Sequence, residues 1–123
     1  MIVADTDVLI DFMKGKGAAR SVASALERGL ATTVVSAFEL WAGSIGSRRR
    51  ETAVEKLLAA LEVISLDPAS ALEAARLKTS LRSRGTTIGT ADALIAGMCV
   101  SRGAVLLTRN KKDFTKVPGL TLG

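Results

Sequence analysis

Histidine and tyrosine are absent from the 123 residues of the chain, and cysteine occurs only once, at position 99. Without histidine the chain cannot form Ser-His-Asp triads, histidine-paired nuclease sites or zinc sites with imidazole ligands. Without tyrosine it has no phenolic nucleophile. Hydrolytic chemistry in this chain must therefore use carboxylates, hydroxyls, lysine or a bound metal ion.

The lone cysteine cannot form an internal disulfide, and the N-terminus lacks a charged and apolar leader with a small-residue cleavage site. The longest nearly uncharged window, residues 86–101, contains Asp92 and is too short and too rich in glycine for a membrane span. These features predict a cytoplasmic protein without a membrane role. We expect Cys99 to be a buried small hydrophobe.

Aromatic residues make up only 3% of the chain, whereas hydrophobic residues as a whole make up 48%. The core should therefore be aliphatic, and stacking on nucleobases should contribute little to any nucleic-acid binding. A chain of 123 residues is long enough to bury about two-thirds of its unfolded surface in one domain. We expect residues 1–123 to form that single domain.

Seventeen basic residues against twelve acidic ones give a formal net charge of +5. This balance favours an anionic partner and is compatible with nucleic acid. The residues that would contact phosphates are Arg48, Arg49, Arg50, Arg82, Arg84, Arg102, Arg109, Lys111 and Lys112. The alternative is that these residues are solvated helix ends, and the sequence leaves both interpretations open.

Short apolar runs alternate with longer segments of helical periodicity. We predict strands at 2–4, 31–35, 63–66, 104–108 and 120–122, and helices at 8–14, 18–28, 36–45, 51–61, 68–84 and 91–102, with one further turn near Asp113. Strands that alternate with helices of ten or more residues imply crossover connections and parallel pairing. The predicted fold is α/β, a three-layer α/β/α sandwich with a mainly parallel central sheet.

Four carboxylates lie where strands of this sheet pass into helices. They are Asp5, Glu39, Asp92 and Asp113. Each acid also has a purely structural interpretation. Asp5 and Asp7 can cap the first helix, and residues 36–39 match a capping box. Asp92 can simply lie in the first turn of a helix that Thr90 caps.

Taken together, the acids favour a metal site. Glu39 and Asp92 have apolar neighbours in the sequence, where a carboxylate is costly unless it is paired. Several carboxylates at one edge of a sheet raise one another's pKa unless a divalent cation neutralises them. Oxygen ligands alone suit Mg²⁺ or Mn²⁺. Such a cluster beside basic side chains indicates metal-assisted hydrolysis of phosphodiester bonds.

Four motifs extend this pattern over the whole chain. They are ADTDVLI at 4–10, SxxEL at 36–40, TADALIA at 90–96, and LTRNxxDF with VPGL at 107–120. In order and spacing they resemble the PIN domain, specifically the VapC toxins of bacterial and archaeal toxin-antitoxin pairs. The resemblance implies a Mg²⁺-dependent endoribonuclease that cleaves tRNA, ribosomal RNA or messenger RNA. It also implies a homodimer that is inhibited by a small cognate VapB-type antitoxin, which binds operator DNA as well.

By the same resemblance, Asp5, Glu39 and Asp92 are the three core acids of the family and Asp113 is the fourth. We expect Asp5 and Asp92 to bind the cation directly. Glu39 would bind it or orient the attacking water.

Two positions depart from the family pattern. Asp7 stands where the family usually has asparagine, so it either adds a carboxylate or only accepts a hydrogen bond. The neutral Asn110 lies nearer the preceding strand than Asp113, so either of the two would act on the cation through water. Thr108 either hydrogen-bonds a phosphate or carboxylate, or is a buried hydroxyl at the end of a strand.

Three other residues receive structural expectations. Trp41 should pack in the core on the side shared with Phe38 and Ile45, the alternative being a role in a dimer or an antitoxin groove. Asp11 and Asp67 should be exposed or capping acids.

Two other functions are compatible with these residues. One is a PIN-like module that binds RNA or a partner without cleaving, which the retention of the three core acids disfavours. The other is a metal-dependent phosphatase or flap-type DNA nuclease. The chain lacks insertions that would grip branched DNA, and this disfavours the nuclease version.

Overall fold

The structure, a computed structural model, describes residues 1–17 and 19–123. Strands and helices alternate along these residues. They are β1 (Ile2–Ala4), α1 (Thr6–Met13), α2 (Ala19–Glu27), β2 (Leu30–Thr33), α3 (Val34–Ala42), α4 (Arg48–Ala59), β3 (Glu62–Ile64), α5 (Pro68–Ser83), α6 (Thr90–Val100), β4 (Val105–Leu107), α7 (Lys111–Phe114) and β5 (Thr121–Leu122).

The strands form one sheet in the order β3-β2-β1-β4-β5, and every described pair is parallel. In the central strand, Val3 lies opposite Ala31 of β2 and Leu106 of β4. The chain moves from β1 outward to β2 and β3, and then returns to the other side of β1 to form β4 and β5. The reversal opens a crevice between the carboxyl ends of β1 and β4, where ligands bind in open α/β sheets.

Helices cover both faces of the sheet, which confirms the predicted sandwich. Side chains of a strand alternate between faces, so Val3 and Leu106 belong to an apolar cluster with α5 and α6 residues such as Ile95. Ala4 points to the opposite cluster, which includes Leu9 of α1. Both clusters are almost entirely aliphatic, as the composition predicts.

A close contact between α5 and α6 fixes the position of α6. An added Cβ at Gly97 would lie 2.6 Å from the backbone nitrogen of Ala74, so only glycine allows the two helices to approach this closely. Cys99, two residues further along α6, is completely buried, as expected. Its burial raises the pKa of the thiol to about 12, so it is a neutral hydrophobe at physiological pH.

Four predicted helix starts are wrong. Helix α1 begins at Thr6 instead of 8, because Asp5 caps it by accepting from the Thr6 backbone nitrogen. Helix α3 begins at Val34 instead of 36, because Thr33 caps it by accepting a hydrogen bond from the Ser36 backbone nitrogen. Helix α4 begins at Arg48 instead of 51, because the Ser47 hydroxyl accepts from the Arg50 nitrogen. Helix α6 includes Thr90, and its cap is Gly89, which offers no side-chain acceptor.

The remaining elements follow the prediction within a few residues. Asp67 caps α5 by accepting from the Ser70 nitrogen at 2.8 Å, as the Asp-Pro pair indicates. The predicted helix 18–28 corresponds to α2, and its first predicted residue, Ala18, lies outside the described residues.

Trp41 is half-buried and packs against the cluster that contains Leu9, which confirms its expected packing role. Phe38 and Ile45, however, are 69% and 74% exposed, so the expectation that they share a buried side with Trp41 is wrong. The buried face of α3 is formed by Ala37 and Leu40, and Trp41 lies at its margin.

Within the ranges 1–17 and 19–123, none of the helices has the length and apolar character that a membrane crossing requires.

Candidate active site

Asp5 lies at the end of β1, in the crevice between β1 and β4. Its side chain is 5% exposed. The backbone nitrogen of Thr6 donates to Oδ1 at 2.8 Å, and the Thr108 hydroxyl donates to Oδ2 at 2.8 Å. Asp5 is therefore the cap of α1 and at the same time a buried carboxylate that the two central strands hold in place.

Burial raises the pKa of Asp5 from its ordinary value of 3.8 to about 6. The hydrogen bond from Thr108 opposes this rise, and the negative charges of Asp7 and Asp92 add to it. A buried acid in this position binds a proton more tightly than an exposed aspartate does, and a nearby cation would release that proton.

Asp92 lies in the first turn of α6 and is half-buried. Burial raises its pKa, and the charges of Glu39, Asp113 and Asp7 raise it further. The Asn110 side-chain amide donates to Asp92 Oδ2 at 3.4 Å. Asp5, Glu39 and Asp113 thus each lie within electrostatic reach of Asp92.

Glu39 faces this edge from α3. Its Oε1 accepts a hydrogen bond of 2.7 Å from the Thr6 hydroxyl, which also lies 2.9 Å from Ser36 Oγ. The predicted capping box is wrong, because Thr33 caps the helix and places Glu39 beyond its first turn. Glu39 is therefore available to the crevice and contacts Thr6, a residue that the sequence analysis did not single out.

Asp113 and Asn110 differ in how they meet the other acids. Asn110 contacts Asp92 directly. Asp113, in α7, is half-exposed and lies 4.0 Å from Lys116 Nζ, and it affects Asp92 only through its charge. Asp7 does not join the acids directly, because both of its oxygens accept from the Arg109 backbone nitrogen at 3.3 Å.

Asp11 is not the exposed or capping acid that the sequence suggests. It is 8% exposed, and its Oδ2 lies 3.1 Å from Arg109 Nε. In the sequence, the spacing of Asp7 and Asp11 indicates that both acids lie on one face of α1. No local pattern indicates that Asp11 pairs with Arg109, because the two residues lie nearly the whole chain apart.

The basic residues divide into two groups. Arg102 is an internal support, because it donates to the Ser65 and Met98 carbonyls and the Ser70 hydroxyl and pairs with Asp67. It is neither a free phosphate contact nor a solvated helix end. By contrast, the residues Arg48, Arg49 and Arg50 are exposed in the first turn of α4.

A groove with a volume of about 960 Å³ lies between α1, α3 and α4. Glu39 is one of its lining residues. Its walls include apolar Ile10 and Val54 and basic Lys14, Arg49 and Arg50. Of the four predicted acids, Glu39 therefore faces an amphipathic, positively charged groove.

The donor set of the crevice suits a hard cation. It consists of carboxylate, amide and hydroxyl oxygens, which Mg²⁺ and Mn²⁺ prefer. In the part of the chain that the structure describes, no three acidic or thiol side chains are grouped closely enough to enclose an ion. Mg²⁺ commonly keeps several waters and uses only one or two protein carboxylates, so the donor set fits this ion without a third grouped acid.

Comparison with known proteins gives one family match, the PIN domain, over residues 2–120. The chain is 38% identical to ribonuclease VapC10 of Mycobacterium tuberculosis over 93% of its own length and 86% of that protein. It is 29% identical to the tRNA(fMet)-specific endonuclease VapC of Shigella flexneri over 94% of its length and 91% of that protein. With the protein of the same name from Salmonella typhimurium, the alignment is 33% identical but spans 60% of that relative.

Solved structures show the same similarity. The VapBC2 complex of Rickettsia felis, bound to a DNA fragment from its promoter, contains a chain that superposes with a TM-score of 0.90 at 25% identity, covering 100% of this chain and 98% of that one. The DNA-bound VapBC complex of Salmonella typhimurium gives a TM-score of 0.89 at 25% identity, covering 99% and 96%.

Proposed function

The chain belongs to the PIN-domain family and, within it, to the VapC toxin ribonucleases, and from this membership we propose that its acid crevice hydrolyses RNA phosphodiester bonds. The observation that carries the proposal is the buried Asp5, held between β1 and β4 and within electrostatic reach of Asp92. A carboxylate buried without a cationic partner costs stability, and a functional role explains its retention.

PIN nucleases are typically metal-dependent, and we propose Mg²⁺, with Mn²⁺ as a possible substitute. Asp5 and Asp92 would hold the ion. When bound, it would supply a more acidic water and positive charge for the oxygens of the phosphate. The Thr108 hydroxyl and the Asn110 amide keep these two carboxylates in place.

Glu39 has one oxygen fixed by the Thr6 hydroxyl. We assign its other oxygen, Oε2, to orienting the attacking water or accepting its proton. Asp113 would act through water at the rim, because it is half-exposed and shared with Lys116.

The test is incubation of the purified protein with total cellular RNA, with and without Mg²⁺. Asp5→Asn should abolish the cleavage, while Asp67→Asn, which alters an equivalent strand-to-helix junction, should leave it intact. Discrete fragments that need the metal and disappear only in Asp5→Asn would support the proposal. No cleavage by folded, antitoxin-free protein that still binds RNA would instead favour a non-catalytic binding module.

Related structures are toxin-antitoxin complexes, so an antitoxin is the expected partner. We propose that an antitoxin segment binds in the groove between α1, α3 and α4, with apolar side chains against Ile10 and acidic ones near Arg49 and Arg50. Ala53 is an exposed residue of the groove wall. Ala53→Arg should reduce co-purification with the antitoxin and leave RNA cleavage unchanged, and unchanged co-purification would argue against this location.

We also propose a homodimer formed through the exposed side of α3. Val34 and Phe38, 43% and 69% exposed, lie one turn apart on α3, and Ile45, 74% exposed, lies in the turn that follows the helix. Light scattering should give the mass of a dimer for the native chain and of a monomer for Phe38→Glu. A native monomer would contradict the proposal. The single domain over 1–123 and the cytoplasmic location stay predictions.

A further inference from the structure

Arg109 lies in the loop between β4 and α7, flanked by the two residues that donate to Asp5 and Asp92. Its neighbour Thr108 donates to Asp5, and its other neighbour Asn110 donates to Asp92. The backbone nitrogen of Arg109 itself points at the carboxylate of Asp7. The backbone of Arg109 is therefore fixed at the edge of the acid crevice.

The side chain of Arg109 is 61% exposed, and one of its nitrogens is nevertheless held. Nε lies 3.1 Å from Asp11 Oδ2. Asp11 lies four residues beyond Asp7 on α1, a rise of about 6 Å along the helix axis. Among the described residues, the two terminal nitrogens of Arg109 have no hydrogen-bond partner.

Asp11 is itself rigidly placed. It is buried, and a Cβ at Gly17, whose φ is +57°, would lie 2.6 Å from its Oδ2. Glycine at position 17 thus leaves room for the carboxylate. The ion pair at Nε restricts the guanidinium and leaves its two terminal nitrogens open to a further partner.

RNA is a polyanion, and the crevice carries Asp5, Glu39, Asp92 and Asp113. Their charges repel a phosphodiester backbone, so the rim needs fixed positive charge if a strand is to enter. Arg109 has its backbone held at Asp7 and its guanidinium against Asp11, so it supplies such a charge on the α1 side of the rim. Arg102, by contrast, uses its donors for internal contacts. A guanidinium fork also matches two phosphate oxygens in a way that a lysine does not.

We propose that Arg109 binds a phosphate of the RNA strand next to the phosphate that is cut, and that Asp11 is the positioning residue that orients its guanidinium. The inference rests on the proposed function, since it takes RNA as the substrate of the crevice. It concerns binding, and its test does not require cleavage.

The test measures the affinity for a short fluorescein-labelled single-stranded RNA by anisotropy in EDTA, over a series of salt concentrations. Arg109→Ala should weaken binding about tenfold and reduce the slope of log affinity against log salt by about 0.7, the contribution of one phosphate contact in single strands. Arg109→Lys keeps the charge but lacks the fork, so it should restore the slope and only part of the affinity.

Arg76→Ala is the matched control, because it removes the same charge from an exposed position on α5. It should change affinity much less than Arg109→Ala. Equal effects of the two alanine variants would overturn the proposal and leave only a general attraction between a basic protein and RNA.

Asp11→Asn tests the positioning role, because the proposal and a general electrostatic effect predict opposite changes in RNA affinity. It raises the net charge by one, so a general electrostatic effect would tighten RNA binding. The proposal expects weaker binding, and in cleavage assays a higher KM with little change in kcat. Tighter binding by a variant with native thermal unfolding would refute the role of Asp11. If the native chain binds RNA as described but never cleaves it, the proposed function fails while the phosphate contact of Arg109 and its positioning by Asp11 stand.

Discussion

Asp5 and Asp67 occupy the same local position and have opposite properties. Each follows a strand and caps the next helix with its side chain. Asp5 is buried between the two central strands, and its pKa is raised to about 6. Asp67 lies at the edge strand β3, and hydrogen bonds from Ser70, together with the charge of Arg102, lower its pKa.

The difference shows that a local capping role neither requires nor excludes a chemical one. At the β3–α5 junction, the helix end and the guanidinium of Arg102 balance the negative charge. At the β1–α1 junction, the surrounding charges are those of Asp7 and Asp92, so the carboxylate is destabilised. We expect the chemistry to lie at the junction where the charge is uncompensated.

The largest expected effect concerns the acids that share the crevice with Asp5. Asp92→Asn should lower the rate of RNA cleavage by at least about 100-fold, because it removes a proposed ion-binding carboxylate. Asp113→Asn should cost only about tenfold, since Asp113 is half-exposed and shared with Lys116. Single-turnover cleavage rates measure both. A loss in Asp113→Asn as large as in Asp92→Asn would show that the fourth acid binds the ion directly.

The second prediction uses the opposite pKa shifts. In metal-free protein, the raised pKa of Asp5 means that folding favours its protonated form. This contribution to stability is fully present below pH 3.8 and is lost as the pH rises through about 6. Asp5→Asn should therefore raise the free energy of unfolding by about 3 kcal/mol at pH values well above 6, and by almost nothing below pH 3.8.

Asp67→Asn should have the opposite sign. Its lowered pKa contributes stability above the ordinary value of 3.8, and this contribution is lost as the pH falls. The variant should be less stable than the native protein at neutral pH and equal to it in acid. Urea unfolding in EDTA at both pH values measures the two variants together. The same sign for both would contradict the contrast between the junctions.

A smaller effect is expected when the environment of Asp5 is changed instead of Asp5 itself. Thr108→Val removes the hydroxyl that donates to Asp5 Oδ2, a bond that holds the pKa down. The pKa should rise further, by up to about one unit, and the acidic limb of the cleavage rate should move to higher pH by the same amount. A pH profile of kcat/KM measures this. An unchanged profile would mean that Asp5 does not limit activity on its acidic side.

The parallel sheet and the caps at Asp5 and Asp67 could be predicted from the sequence because their signals are local. An apolar run followed by an acid marks the end of β1, and the Asp-Pro pair marks the start of α5. The cap of α3 could not be predicted in the same way, because Thr33 and Ser36 both offer a hydroxyl. Which of them caps the helix depends on where β2 ends, and β2 pairs as far as Thr33.

The contacts that define the candidate site have no local signal. Thr108 and Asp5 are 103 positions apart, and Thr6 and Glu39 are 33 apart. Their meeting depends on the strand order, which the sequence indicates only as far as a mainly parallel sheet. The burial of Asp11 could not be predicted for the same reason, since its partner Arg109 lies on the far side of the strand reversal.

Metal binding at the β1–α1 junction is the most direct test of the central claim that uncompensated carboxylates make this crevice the catalytic centre. Calorimetric titration with Mn²⁺ at pH values above 6 should give the same affinity for the native protein and Asp67→Asn, and no measurable binding to Asp5→Asn. Native affinity in Asp5→Asn would contradict the account, because the ion would then be held elsewhere in the molecule.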